Sequence, residues 1–171
     1  MLQWIKNSTG APIPYGWAFD VGDQTRVGID KIFFRVGNTH GNLYGTGTGT
    51  LSRNSWTLLI GTFDGISLKI YQNGLLVGAF PFGGSYAHHA APLPIRLAIG
   101  WLPHHYWTGD LSNIRVYGRP LSQVEISSIF RGNNVTHGLI GHWLLNEGSG
   151  IRIYDSSGNN NTGVIQHALW R

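Results

Sequence analysis

The chain has 171 residues, of which 42% are hydrophobic and only 12% charged, with 25 glycines and seven each of Trp, Tyr and Phe. That charge content is about half the globular average, and the excess of glycine and aromatics suits strands joined by tight turns better than helices. The net charge of +4 rests on scattered Lys and Arg, which argues against a nucleic-acid partner, and the lack of cysteine excludes disulfides, cysteine zinc sites and thiol catalysis.

No apolar run reaches the roughly 18 residues that would cross a membrane. The first residues, Met1 to Lys6, carry no secretion-signal pattern. Three Asn-X-Ser/Thr triplets begin at Asn7, Asn134 and Asn160 and are common by chance.

In chain order, strands are expected at Tyr15 to Val21 and Lys31 to Val36. Thr46-Gly47-Thr48-Gly49-Thr50 reads as either a loop or a glycine-rich strand. Trp56 to Phe63, Ser67 to Gln72 and Leu75 to Phe80 are separated by Asp64-Gly65 and Asn73-Gly74. Those dipeptides supply the positive φ angles of two-residue hairpins, so Trp56 to Phe80 is expected to be a three-strand antiparallel meander. Leu68 and Ile70 share its inner face by alternation. Further strands are expected at Ile95 to Ile99, Leu111 to Tyr117, Leu139 to Leu145 and Thr162 to Gln166. Ile114 and Val116 alternate with Arg115 in the second of these. One helix interrupts them. Ser122 and Glu125 form a capping box, Gly132 supplies a left-handed stop, and Val124, Ile126, Ile129 and Phe130 offer an apolar stripe. The fold class is all-β, an antiparallel jelly-roll β-sandwich with one short helix.

The order of these pieces resembles the laminin-G-like family of the concanavalin-A-like lectin/glucanase superfamily. Trp56 through Thr62-Phe63-Asp64-Gly65, Leu68-Lys69-Ile70-Tyr71-Gln72-Asn73-Gly74 and Leu97-Ala98-Ile99-Gly100 follow its strand motifs. So do Trp107-Thr108-Gly109-Asp110-Leu111 with Ile114-Arg115-Val116-Tyr117, and Arg119-Pro120-Leu121-Ser122 with Glu125-Ile126. Gly138-Leu139-Ile140-Gly141-His142-Trp143, Asn146-Glu147-Gly148-Ser149-Gly150 and Asp155-Ser156-Ser157-Gly158-Asn159 look like the family's N-terminal segment, here at the C-terminus. The organisation expected is therefore residues 1–137 as the main part of the sandwich and residues 138–171 as a displaced segment. That segment completes its own sandwich, completes a neighbour's by self-association, or begins a truncated second repeat.

The resemblance implies two chemistries to weigh. Enzymes of the superfamily hydrolyse glycans with paired carboxylates on one strand. Here the two glutamates are Glu125, a helix cap, and Glu147, in a glycine-rich turn, and no predicted strand carries two acids. A glycoside hydrolase is thus a remote alternative, and no enzyme is expected. Relatives also bind calcium through Asp oxygens. The family's acidic pair is replaced by Ser112 and Asn113, which weakens that carry-over; Asp155 is the candidate ligand, against a plain role in its own turn, and Asp20, Asp23 and Asp64 are open to the same two readings. No other cofactor is expected.

The histidines include His88-His89 and His104-His105, adjacent pairs that point apart in a strand and chelate one ion poorly. With Tyr86, Trp101 and Tyr106 they form two loops whose aromatic faces and polar groups suit a glycan or a protein surface. Trp107, Trp17, Trp56 and Trp143 are expected in the core. The reading is a non-catalytic assembly or recognition module on an extracellular or virion surface, such as a virion decoration, fibre or filament subunit. The alternative is a lectin-like glycan binder.

Overall fold

The computed structural model describes residues 2–6, 12–21, 31–37, 43–52, 54–86, 95–97 and 109–171. The chain divides into two compact units, Met1–Trp107 and Thr108–Arg171.

The first unit holds two antiparallel sheets. Strands β1 (Leu2–Lys6), β2 (Pro12–Val21), β3 (Ile32–Gly37) and β4 (Leu43–Thr48) form one, in that order. Strands β5 (Leu59–Phe63), β6 (Ser67–Gln72) and β7 (Leu75–Pro81) form the expected meander. Thr46 to Thr48 is thus part of a glycine-rich strand, and β1 is an additional strand that its short sequence does not announce.

Alternation builds the core. Ile32, Phe34 and Val36 of β3 meet Leu68 and Ile70 of β6, all buried, so the two sheets face each other across these side chains. Trp17, Leu59, Phe63 and Val77 pack around them. Full burial of each such side chain stabilises the fold by about 1.5–3 kcal/mol. Phe33 and Arg35 alternate outwards on β3, where the guanidinium sits 4.8 Å from the Phe33 ring centre.

The two turns of the meander differ. Asn73 and Gly74 both have positive φ, 51° and 83°, and make the two-residue hairpin expected of Asn-Gly. The Asp64 turn is longer by one residue, Ile66. Asp64 Oδ1 accepts the N–H groups of Ile66 and Ser67 at 2.9 and 2.7 Å, and Gly65 takes φ 90°. A side chain that satisfies two turn donors makes the longer loop stable.

Strand β5 starts at Leu59, not at Trp56. Trp56 lies in the preceding segment, outside the in–out alternation, and is exposed rather than part of the core. Residues 95–97 are described but not in a strand, while residues 98–100 lie outside the described residues.

The second unit pairs β8 (Ile114–Tyr117) with β9 (Leu139–Trp143) and β10 (Arg152–Ile153) with β11 (Gly163–Val164), both antiparallel. Residues 138–171 therefore share a unit with the strand and helix before them, and β9 pairs with β8 of the same chain. Strand β8 begins at Ile114, directly after Asn113 takes a left-handed φ of 55°, and β9 ends at Trp143, two residues before Leu145 takes φ 58°.

Helix α1 (Gln123–Phe130) has the capping box its sequence predicts. Ser122 Oγ accepts the Glu125 N–H, and the Glu125 carboxylate accepts the Ser122 N–H at 2.8 Å. Gly132, at φ 88°, closes the helix by donating to Ile129 O. The apolar stripe is narrower than expected. Ile126 is buried, but Val124 and Phe130 are exposed. Val124 lies about 200° around the helix from Ile126, on the opposite side. Phe130 sits in the last turn. No helix among the described residues is long and apolar enough to cross a membrane.

Candidate binding surfaces

Of the predicted contact residues, only Tyr86 is described. Its ring packs beside the core, 5.8 Å from the Phe63 ring, and burial pushes the pKa of its hydroxyl up. His88, His89, Trp101, His104, His105 and Tyr106 lie outside the described residues, as does Trp107.

Asp155 is the most heavily bonded carboxylate described. Oδ1 accepts the His142 and Ser157 N–H groups at 2.8 and 2.9 Å. Oδ2 accepts Ser157 Oγ at 2.9 Å, the Asn161 N–H at 3.0 Å and Asn161 Nδ2 at 3.1 Å. Desolvation works to raise the pKa of this carboxyl. The N–H groups of His142, Ser157 and Asn161 and the Ser157 hydroxyl outweigh it and hold the group well below the usual carboxylate range. Both oxygens of Asp155 are thus held by N–H and O–H donors from β9 and from the turn that follows β10. Among the described residues, no group of three or more His, Cys, Asp or Glu gathers.

The ladder of β8 and β9 carries a polar cluster. Arg115 and His142 are cross-strand partners. Arg115 Nε donates to Asn113 Oδ1 at 3.2 Å, and Nη2 donates to Asn134 Oδ1 at 3.3 Å. His142 Nε2 lies 2.8 Å from Asn113 Oδ1, so a proton on Nε2 completes a hydrogen bond there. Burial and the Arg115 charge push the His142 pKa down, with Asp155 opposing them. Arg115 Nη1 and Glu147 Oε2 are buried without a hydrogen-bond partner.

On the next positions of β9, the Trp143 indole lies over Gly141, and its Nε1 donates to Asn161 O at 2.6 Å. Trp143 is half-buried.

The two glutamates hold structure together. Glu125 pairs with the Arg119 guanidinium while capping α1, and its pKa falls to about 2, through Arg119 first and then the Ser122 N–H and hydroxyl. Glu147 Oε1 accepts the Tyr154 N–H at 2.8 Å. Neither glutamate stands on a strand.

One feature escaped the sequence reading. Trp56 is 70% exposed, at the end of the β5–β6–β7 sheet where Leu75 is also 70% exposed. A strand expected to begin at Trp56 hid it.

Residues 2–127 match a laminin G family described as the concanavalin A-like lectin/glucanases superfamily. The chain belongs to this superfamily. The match runs from β1 into α1 and ends before β9. Among solved structures, a putative carbohydrate binding protein from Bacteroides ovatus superposes with a TM-score of 0.66 at 19% identity, over 90% of this chain and 47% of that one. At that identity the likeness is one of fold, and the chain spans about half the length of that protein. No curated protein matches the sequence.

Proposed function

We propose that the protein is a non-catalytic, lectin-like recognition module that binds glycans at an extracellular or particle surface. Membership of the superfamily over residues 2–127 carries this reading. The structural neighbour, described as a carbohydrate binding protein, supports it. A hydrolase would need two carboxyls about 5–9 Å apart across the scissile bond. Glu125 and Glu147 are each engaged, one with Arg119 and a helix cap and the other with a turn N–H.

The test is a glycan array followed by calorimetry. Binding to at least one glycan class at millimolar or lower concentration is expected, and none at millimolar sugar overturns the reading. Cleavage of a polysaccharide that Glu147→Gln abolishes would establish an enzyme instead.

A second reading, a structural or assembly subunit such as a virion fibre or filament protein, is favoured by the surface of the second unit. Ile151, Tyr154 and Val164 are exposed on and beside β10 and β11, and Leu169 is 94% exposed. Such residues recruit partners, here a second copy through residues 138–171. Sedimentation across concentration tests it, and a strict monomer at high concentration overturns it.

A further inference from the structure

We infer that residues 155–161 form an edge guard: they occupy the outer edge of β9, and their release lets that edge take up β9 of a second copy of the chain. The inference stands apart from the glycan reading. It rests on backbone groups of β9 rather than on the exposed side chains about β10 and β11.

The guard is built mostly from side chains. Strand β8 pairs with one edge of β9. On the other edge, Ile140 O accepts Asn159 Nδ2 and Asn161 Nδ2, both at 2.9 Å. His142 O accepts the Ser156 N–H at 2.7 Å and the Ser156 hydroxyl at 2.9 Å. The His142 N–H is taken by Asp155 Oδ1 at 2.8 Å. A carbonyl oxygen has two lone pairs and a backbone N–H one proton, so these three groups have nothing left to offer an incoming strand. Leu139 O is met as well, by Asn159 Nδ2 at 3.2 Å. The guard does not extend the sheet in its turn. Gly158 and Asn160 take φ of 90° and 58°, left-handed values that a regular strand does not contain.

The strand under the guard names the occupant. Residues 139–144, Leu-Ile-Gly-His-Trp-Leu, hold no Asp, Glu, Lys, Arg or Pro. Ile140 and Leu144 are 46% and 40% exposed. An apolar six-residue strand without charge or proline pairs with copies of itself when its edge is open. Natural proteins blunt such edges with charges, proline or a covering loop. Strand β9 has neither of the first two, so the covering turn carries the whole task. Once it is released, the N–H and C=O of His142 can exchange bonds with those of His142 in a second copy, as an antiparallel pair about a two-fold axis.

The experiment compares the wild-type chain with two variants. Asp155→Ala frees the His142 N–H. The double variant Asn159→Ala, Asn161→Ala frees Ile140 O and keeps the bond of Asp155 to His142. Each protein is titrated with a labelled synthetic peptide of residues 138–145, read by fluorescence anisotropy, and is sedimented across concentration. Both variants are expected to bind the peptide at least tenfold more tightly than the wild type and to dimerise at lower concentration. A peptide carrying His142→Pro, which lacks that N–H, is expected not to bind. Circular dichroism and cooperative urea unfolding establish that each variant is folded. Where Asp155→Ala does not fold, the double variant decides. The guard is overturned if the wild type binds the peptide as tightly as the variants do. It is equally overturned if a folded variant neither binds the peptide nor associates more than the wild type, or if the His142→Pro peptide binds as well as the native one.

Discussion

His142 and Asp155 are joined backbone to side chain: the His142 N–H donates to Asp155 Oδ1 at 2.8 Å. The His142 carbonyl completes the link by accepting the N–H and hydroxyl of Ser156 at 2.7 and 2.9 Å. One carboxylate thereby ties β9 to the turn that follows β10. Replacing Asp155 by Ala leaves several donors without an acceptor, and a loss of about 2–3 kcal/mol in urea unfolding at neutral pH is expected. Asp155→Asn keeps one acceptor and loses less.

The same carboxyl makes stability acid-sensitive. Its folded pKa is depressed, so its contribution is fully present above the unfolded value of about 4 and is lost as pH falls through the folded value. The gap in unfolding free energy between wild type and Asp155→Asn is expected to narrow progressively below about pH 4.

His142 titrates in the other window. Its folded pKa lies below the usual 6.5, so folding favours the neutral ring. Protonation then costs stability as pH falls below about 6.5. Removing the charge with Arg115→Met raises the His142 pKa, read by NMR titration of the ring protons.

Gly141 has to be glycine. A Cβ there would enter the Trp143 ring, which lies on the same side of β9 two residues on. Gly141→Ala is expected to cost about 1–3 kcal/mol as the indole is displaced, and the changed fluorescence of Trp143 reports loss of the bond to Asn161 O.

The helix start gives a further check. Ser122→Ala removes the cap and lowers stability by about 1 kcal/mol in denaturant unfolding. It also raises the Glu125 pKa from about 2, because the Ser122 hydroxyl no longer supports the carboxylate.

Local signals were legible in the sequence, and distant ones were not. Asn73-Gly74, the Leu68–Ile70 alternation and the Ser122–Glu125 box each act within a few residues, so β6, β7 and α1 could be read directly. The pairing of Arg115 with His142 joins positions far apart in the chain, and no periodicity encodes it. Asp155 was readable as a turn residue, but its five donors depend on where Asn161 and His142 come to rest. Trp56 was misassigned to the core because tryptophan beside an apolar strand is usually buried. Only the late start of β5 at Leu59 reveals its exposure.

The pairing of β8 with β9 also bears on synthesis. The meander closes through turns of two and three residues, which cost little chain entropy and can form as soon as they leave the ribosome. Strand β8 has no such neighbour: its partner, beginning at Leu139, emerges only after the whole of α1. Until then the edge that will receive β9 stays open to other strands. A nascent chain arrested before Leu139 is therefore the form most exposed to mispairing.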